Sequence, residues 1–224
     1  YYRLECHYLY TLAFLRNIGL DAVKSALKTI PHVIFQSPKH IARVFFQAFF
    51  EGDGSISFSS KMVELSCCSV SKNLIRQIQI FLLRFGIDGT RRFDRHRQLW
   101  KLYIRGHRNR MRFYKEIGFL YERKNKKLEY VVHTYNKDSS ASDFVPFISE
   151  FIRNQTASSF IHKNNFDRYA KMEQNYGEVC SILQQEETID CTAMFEYFLT
   201  YQYLFDRVQS IQESEIQRVY SIKV

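Results

Sequence analysis

The chain has 224 residues and a net charge of +9, a length that suffices for one large domain or two small ones. No apolar stretch is long enough to span a bilayer and no secretory signal is visible, so we expect no membrane partner. The five cysteines are odd in number and lack metal-ligand spacing. This cysteine usage is typical of a reducing compartment, so we expect an intracellular protein, cytoplasmic or, in a eukaryote, nuclear.

The charge is distributed unevenly along the chain. Residues 1–137 contain 25 Lys and Arg against 10 Asp and Glu, a net charge of +15, whereas residues 138–224 contain 7 against 13, a net charge of −6. The asymmetry predicts a polyanionic partner for the first block only, although a solvated basic surface has the same composition. The polar, serine-rich segment 137–143, where the sign changes, predicts a domain boundary.

The basic block predicts helices that alternate with pairs of strands. Apolar residues at helical spacing predict a helix over 5–17 and another over 37–51, the second starting at Ser37-Pro38. The elements expected after these are strands over 55–59 and 63–67, a helix over 71–86, strands over 90–95 and 99–105, and helices near 107–117 and 122–134. The order α-β-β-α-β-β-α predicts an α+β fold, an antiparallel sheet with its helices on one face.

Such a sheet leaves its other face open, and here that face is serine-rich in the first strand pair and basic in the second. Strand alternation puts Lys101, Tyr103 and Arg105 on the same face. A ribbon of this kind can enter the major groove of double-stranded DNA, whereas a solvated polar face is the alternative. The expected DNA-contacting residues are Ser55, Ser57, Arg91, Arg92, Arg95, Arg97, Lys101, Tyr103 and Arg105.

The segment from Phe46 to Ser55 (FQAFFEGDGS) combines an apolar helix with two acids and two glycines. It delivers the carboxylate of Asp53 to the end of a buried helix, where an isolated charge is costly. A hard cation such as Mg²⁺ would stabilise it, because such cations prefer oxygen ligands. An ordinary helix end with a glycine turn and a solvated Asp53 explains the same residues.

The acidic block predicts a different organisation. Residues 144–153, 166–185 and 192–204 have helical patterns, so 138–202 is expected to form a helical accessory region. The segments 206–211 and 218–224 alternate like strands.

Three segments of the chain, in order, resemble the LAGLIDADG homing endonucleases carried in inteins. The segment from Phe46 to Ser55 resembles their LAGLIDADG motif, and Lys28-Thr29-Ile30-Pro31 resembles the Lys-x-Ile-Pro segment that precedes the second such motif. Residues 203–208 and 218–224 resemble the segment where the splicing domain resumes. The resemblance implies that residues 1–137 are the C-terminal half of the endonuclease, and that 203–224 begin the C-terminal strands of a Hint-like splicing domain.

The resemblance also implies an activity, a site-specific endonuclease that cuts double-stranded DNA with Mg²⁺. Asp53 matches the acid that binds the metal and is catalytic, and the metal activates water and stabilises the leaving oxygen. Lys28 matches a lysine that assists catalysis, and Lys124 is our choice, from the segment 122–127, for a second one. The residues matched to the end of the motif helix are Glu51, Gly52 and Gly54, while Ala48 matches a small position that admits close helix packing.

The chain also departs from this pattern, because a single motif is legible and the family's active unit has two. The other half is expected before Tyr1, which is not a methionine, or from a second copy of the chain. No nucleophile opens the chain, no His-Asn pair ends it, and Ser221 lies where inteins usually have Asp, so we do not expect this piece to splice. The alternatives are a non-cleaving DNA- or RNA-binding module, such as a regulator or maturase, and an α+β scaffold with a basic face.

Overall fold

A computed structural model of the chain describes residues 8–59, 62–136, 143–185 and 189–213. These residues fall into two compact units, which divide between residues 140 and 141. Within the described residues, no helix is both long and apolar enough to cross a membrane.

The first unit contains the predicted order of helices and strands. Its helices are α1 (Leu9–Asn17), α2 (His32–Gln36), α3 (Lys39–Asp53), α4 (Lys72–Leu82), α5 (His107–Glu116) and α6 (Glu122–Thr134). Its strands are β1 (Gly54–Phe58), β2 (Val63–Ser69), β3 (Thr90–Asp94) and β4 (Leu99–Ile104). The expected α-β-β-α-β-β-α order therefore begins at α3, and the prediction of an α+β fold is confirmed. The short helix α2 was not predicted.

The four strands form one antiparallel sheet in the order β1-β2-β4-β3. On one face, Leu65 of β2 lies opposite Ile56 of β1 and Ile104 of β4, and these side chains are buried beneath the helices. Each side chain of this size stabilises the fold by about 1.5–3 kcal/mol when it is fully buried. The largest fully buried side chains of this core are Phe46, Phe50, Phe113, Leu65, Ile75, Ile78, Leu82, Ile87, Leu102 and Ile104.

Helix α3 packs into this core along one side. Ala42, Phe46 and Phe50 recur every four residues and are fully buried, and the ring of Phe50 lies 4.8 Å from that of Phe113 on α5. The helix ends at Asp53, and the chain continues directly into β1 at Gly54. A Cβ atom on Gly54 would overlap the carbonyl oxygen of Phe50, so only glycine allows this tight change from helix to strand.

Helix α4 begins with a serine cap. The Ser71 hydroxyl oxygen accepts a hydrogen bond of 3.1 Å from the Leu74 N–H and donates one of 2.7 Å to the Lys28 carbonyl oxygen. The segment that carries Lys28 is therefore attached to the start of α4, just beyond the end of β2.

The second unit is helical. Its helices are α7 (Ile148–Arg153), α8 (Ser159–Lys163), α9 (Tyr169–Gln174), α10 (Tyr176–Gln185) and α11 (Ile189–Tyr201). They surround a separate core of buried side chains that includes Phe166, Met172 and Phe195. The helix expected over 166–185 is divided at Asn175, whose backbone leaves the helical conformation at φ −110° and ψ 12°.

The strand expected over 206–211 is a wrong prediction. Residues 202–213 form neither helix nor strand, and Val208 and Ile211 are 72% and 89% exposed. A strand needs a neighbour that pairs with its backbone N–H and C=O groups, which an alternating pattern by itself does not supply. The segment 218–224 lies outside the described residues.

Candidate functional site

Asp53 occupies the last position of α3. Asp53 and Gly52 are both exposed, which agrees with the alternative of a solvated Asp53 at a helix end and not with a costly buried charge. The reason is geometric, because the buried side of α3 ends at Phe50 and residues 51–53 continue past the core. Gly54 pairs with Cys67 of β2, so Asp53 lies at the edge of the sheet. Burial, and then the neighbouring Cys68 and Asp53, raise the pKa of the Cys67 thiol.

Glu51 and Lys124 connect the end of α3 to α6. The Lys124 ammonium donates hydrogen bonds to the carbonyl oxygens of Glu51 and Gly54, the latter at 3.2 Å, and its Nζ lies 3.4 Å from Oε1 of Glu51. The other carboxylate oxygen of Glu51 accepts a hydrogen bond of 3.0 Å from the Tyr121 N–H. A cation at the C-terminal end of a helix binds the unpaired carbonyls and the negative end of the helix dipole. Lys124 therefore binds backbone groups on both sides of Asp53, those of Glu51 and Gly54.

Lys28 lies in the same region of the fold. Its carbonyl oxygen binds Ser71, two residues after the end of β2, while Gly54 pairs with Cys67 near that end of the strand. The Lys28 side chain is exposed. The structure thus brings the segments that carry Lys28, Asp53 and Lys124 to one end of the sheet.

Asp53 is the carboxylate of this region that the sequence predicts to bind a metal. In the parts of the chain that the structure describes, no three His, Cys, Asp or Glu side chains lie close enough together to hold a metal ion. An exposed carboxylate at a helix end suits a hard cation such as Mg²⁺, but Mg²⁺ takes about six oxygen ligands. A metal held at Asp53 would need oxygen atoms from water, from phosphate or from a second carboxylate.

The open face of the sheet is polar and continuous across the strands. Register puts Ser55, Ser66, Tyr103 and Thr90 in one row, and Cys68, Lys101 and Arg92 in the next. Of the nine residues predicted to contact DNA, Ser55, Ser57, Arg92, Lys101 and Tyr103 belong to this face by alternation.

Arg91 is separated from that set. It lies opposite Leu102, a fully buried residue of the helix-covered face, so alternation in β3 directs Arg91 and Arg92 to opposite sides of the sheet. Two adjacent strand residues cannot share a face, and the composition of the segment alone does not reveal which of the two arginines lies on the open face.

Tyr103 positions two cations on the open face. The Lys101 Nζ lies 5.7 Å, and the Arg105 guanidinium carbon 5.0 Å, from the centroid of the Tyr103 ring. Cations at this distance are attracted by the electron-rich ring face. Tyr103 therefore holds Lys101 and Arg105 on one surface, as their spacing predicted.

The turn between β3 and β4 presents Arg95 and Arg97. One carboxylate oxygen of Asp94 accepts hydrogen bonds from the backbone N–H groups of His96 and Arg97, at 3.0 and 3.1 Å. The bond from Arg97 is the main reason that the pKa of Asp94 is lower than its ordinary value. Asp94 thereby orders a turn on which both arginines are exposed.

Sequence reasoning missed Glu64 as a member of this face. Its carboxylate oxygen Oε1 accepts a hydrogen bond of 3.0 Å from the Ser66 hydroxyl and lies 3.6 Å from the Lys101 Nζ. The alternation of β2 directs Glu64 and Ser66 away from Leu65, and this pattern could have assigned Glu64 to the open face. Alternation does not reveal which strand lies beside β2, so the contact with Lys101 was not predictable.

A known family model matches part of the first unit. Residues 41–118, which extend from α3 to just beyond α5, match the family model of the LAGLIDADG-like domain. The α+β topology of the first unit is consistent with this match.

Curated relatives match more of the chain. It is 28% identical over 231 residues to a DNA gyrase subunit of Mycolicibacterium flavescens, an alignment that covers 100% of this chain and 41% of the relative. It is 30% identical over 207 residues to the corresponding gyrase subunit of Mycobacterium malmoense, an alignment that covers 90% of this chain and 43% of that subunit. It is also 32% identical over 146 residues to a DNA-directed RNA polymerase subunit of Methanocaldococcus jannaschii, an alignment that covers 64% of this chain and 16% of that subunit. The chain thus spans less than half the length of these relatives.

Proposed function

We propose that the chain is one half of an intein-encoded homing endonuclease, which cuts both strands of a specific DNA site with Mg²⁺. The observation that carries the proposal is the position of Asp53, an exposed carboxylate at the end of α3, beside the open polar face of a LAGLIDADG-like sheet. A surface that only binds DNA gains nothing from an acid near the phosphates, because like charges repel. A metal-dependent nuclease requires one.

The residues around Asp53 would have separate roles. Asp53 would hold Mg²⁺, which when bound activates water and stabilises the leaving oxygen of the phosphodiester. Lys124 and Glu51 fix the end of α3, so the carboxylate is presented from a rigid helix. Lys28 would contact the scissile phosphate or the attacking water from the neighbouring segment.

The open face would bind the DNA. Arg92, Lys101 and Arg105, with Arg95 and Arg97 at the turn, provide cations for phosphates and guanine edges. The serines of β1 provide donors and acceptors at the other end of the face. Release of counterions from the DNA by such cations would make binding strongly dependent on salt.

Helix α3 carries a further surface that fits a second half. Ile41, Val44, Ala48 and Gly52 recur at intervals of three or four residues and are all exposed. A Cβ atom on Gly52 would meet nothing within 4 Å, so another helix could approach closely here. We propose that the missing first half, or a second copy of this chain, packs on this surface and supplies the second carboxylate.

The intein context rests on the relatives. DNA gyrase and RNA polymerase have different functions by name, yet one subunit of each contains a segment similar to this chain. An inserted element would explain a segment shared by otherwise different proteins. In this proposal residues 1–137 are the endonuclease half, 138–202 are an accessory region and 203–224 begin the returning splicing domain, and the enzyme acts on DNA inside the cell.

The test is cleavage of the cognate DNA site by the full-length parent protein, with and without Mg²⁺. We expect Asp53→Asn to abolish cutting and to leave binding and thermal stability unchanged, because Asp53 is exposed. Glu129→Gln on α6 removes the same charge from another exposed position and should cut normally. Unchanged cutting by Asp53→Asn would refute the catalytic role. Binding without cutting by the parent would favour a non-cleaving DNA-binding module.

A further inference from the structure

Glu64 is an acid within the face that we propose for DNA binding. Its side chain and that of Lys101 are 29% and 20% exposed, so both remain accessible from the open side of the sheet. Negative charge on such a face weakens the attraction for phosphates, and a role in phosphate binding does not explain it. The pair presents an acceptor beside a donor, which a cation alone would not.

The two side chains form a fixed pair of one acceptor and one donor. Glu64 Oε1 lies 3.6 Å from the Lys101 Nζ on the neighbouring strand, and the Ser66 hydroxyl donates to the same oxygen at 3.0 Å. Ser66 is itself 3% exposed and its Oγ lies 3.4 Å from the Ser55 Oγ, so the network extends from β1 to β4. Both of these contacts use Oε1 of the Glu64 carboxylate. The other oxygen, Oε2, can accept a hydrogen bond without breaking them.

This arrangement is complementary to one base pair in the major groove. Cytosine presents an N4 amino donor there, and its partner guanine presents the O6 and N7 acceptors beside it. Glutamate accepts from cytosine N4, and lysine donates to guanine O6 and N7. We infer that Glu64 and Lys101 together read a single C·G base pair of the target site. The inference rests on the proposed DNA-binding function and adds a specificity-determining pair to it.

An A·T pair also has a donor beside an acceptor, so the identity of the base pair must be tested. Guanine offers two acceptors to the lysine, whereas thymine offers one oxygen and a methyl group. Because guanine offers this second acceptor, we expect a C·G pair and not an A·T pair.

The experiment is selection of bound duplexes from a random DNA library by the full-length parent protein that contains this chain, followed by sequencing. We expect the parent protein to enrich a site in which one position is C·G. Glu64→Gln should reduce the preference for cytosine at that position roughly tenfold and favour adenine, because glutamine pairs with adenine N6 and N7. Lys101→Met should relax guanine preference at the same base pair.

The control is Glu122→Gln, which removes an acid that is also paired with a lysine, Lys126, but on the exposed side of α6. It should select the same site as the unmodified parent protein. Thermal unfolding of each variant checks that the fold is retained. A Glu64→Gln chain that unfolds is replaced by Glu64→Asp, which keeps the charge, shortens the reach and should weaken the same preference.

The outcomes separate the two proposals. An unmodified parent protein that enriches no sequence would overturn both the DNA-binding function and this inference. Enrichment of a site that neither Glu64→Gln nor Lys101→Met alters would overturn the inference alone. The inference would also be overturned if the two variants altered different base pairs, or if the shared position were A·T.

Discussion

The junction between α3 and β1 offers a matched pair of substitutions. Gly52 and Gly54 lie two residues apart in the same motif, but their surroundings are opposite. A Cβ atom on Gly54 would overlap the carbonyl oxygen of Phe50, while one on Gly52 would meet nothing within 4 Å. Gly54→Ala must therefore displace the backbone of α3 or β1, whereas Gly52→Ala requires no movement.

The magnitudes follow from these environments. Overpacking of a closely packed site typically costs about 1–3 kcal/mol, so Gly54→Ala should lower the free energy of unfolding by that amount. For a unit of this size, this corresponds to a decrease in Tm of roughly 3–10 °C. Gly52→Ala replaces an exposed helical glycine, and should leave stability unchanged or raise it by up to about 1 kcal/mol.

The assay can be restricted to the first unit. Trp100 of β4 is the single tryptophan of the chain, and its ring packs 5.1 Å from that of Phe93 on β3. Urea unfolding followed by tryptophan fluorescence therefore reports the sheet of that unit and not the helical unit. Equal midpoints for Gly54→Ala and Gly52→Ala would refute the steric explanation of the motif glycine.

Two further predictions concern side chains near the proposed DNA-binding surface. Lys124→Met removes the cation from the carbonyl end of α3 and should destabilise the first unit by about 1–2 kcal/mol in the same urea assay, whereas Lys126→Met, whose side chain is 71% exposed, should cost less than about 0.5 kcal/mol. Equal losses would contradict the capping role. The pKa of Asp94, measured by NMR titration of its carboxyl group, should be lower than its ordinary value, because the Arg97 N–H hydrogen bond favours the ionised form. The contribution of this turn to stability is then present above the ordinary carboxyl pKa and is lost as the pH falls through the lowered value. A pKa at or above the ordinary value would show that the turn is not formed in solution.

Local patterns were sufficient to predict much of the first unit. Strand alternation around Leu65 and Leu102, and apolar spacing along α3, indicate which side of each element is buried, because side chains repeat every 2 residues in strands and every 3.6 in helices. The position of Asp53 after an apolar helix, and the shared face of Lys101, Tyr103 and Arg105, followed from the same periods. Patterns failed at residues 206–211, where alternation was present but no described strand pairs with the segment.

Contacts between distant segments decided the rest of the candidate site. Lys124 binds the Glu51 carbonyl of α3 across 73 residues. Glu64 contacts Lys101 because β2 lies beside β4, and no local pattern predicts that strand order. The exposure of Asp53 depends on where the core ends, and the separation of Arg91 from Arg92 depends on which strand face the helices cover. The sequence by itself determined the order of elements and the position of the acidic helix end. Only tertiary packing decided which charges meet, because that depends on the register and crossing of segments far apart in the chain.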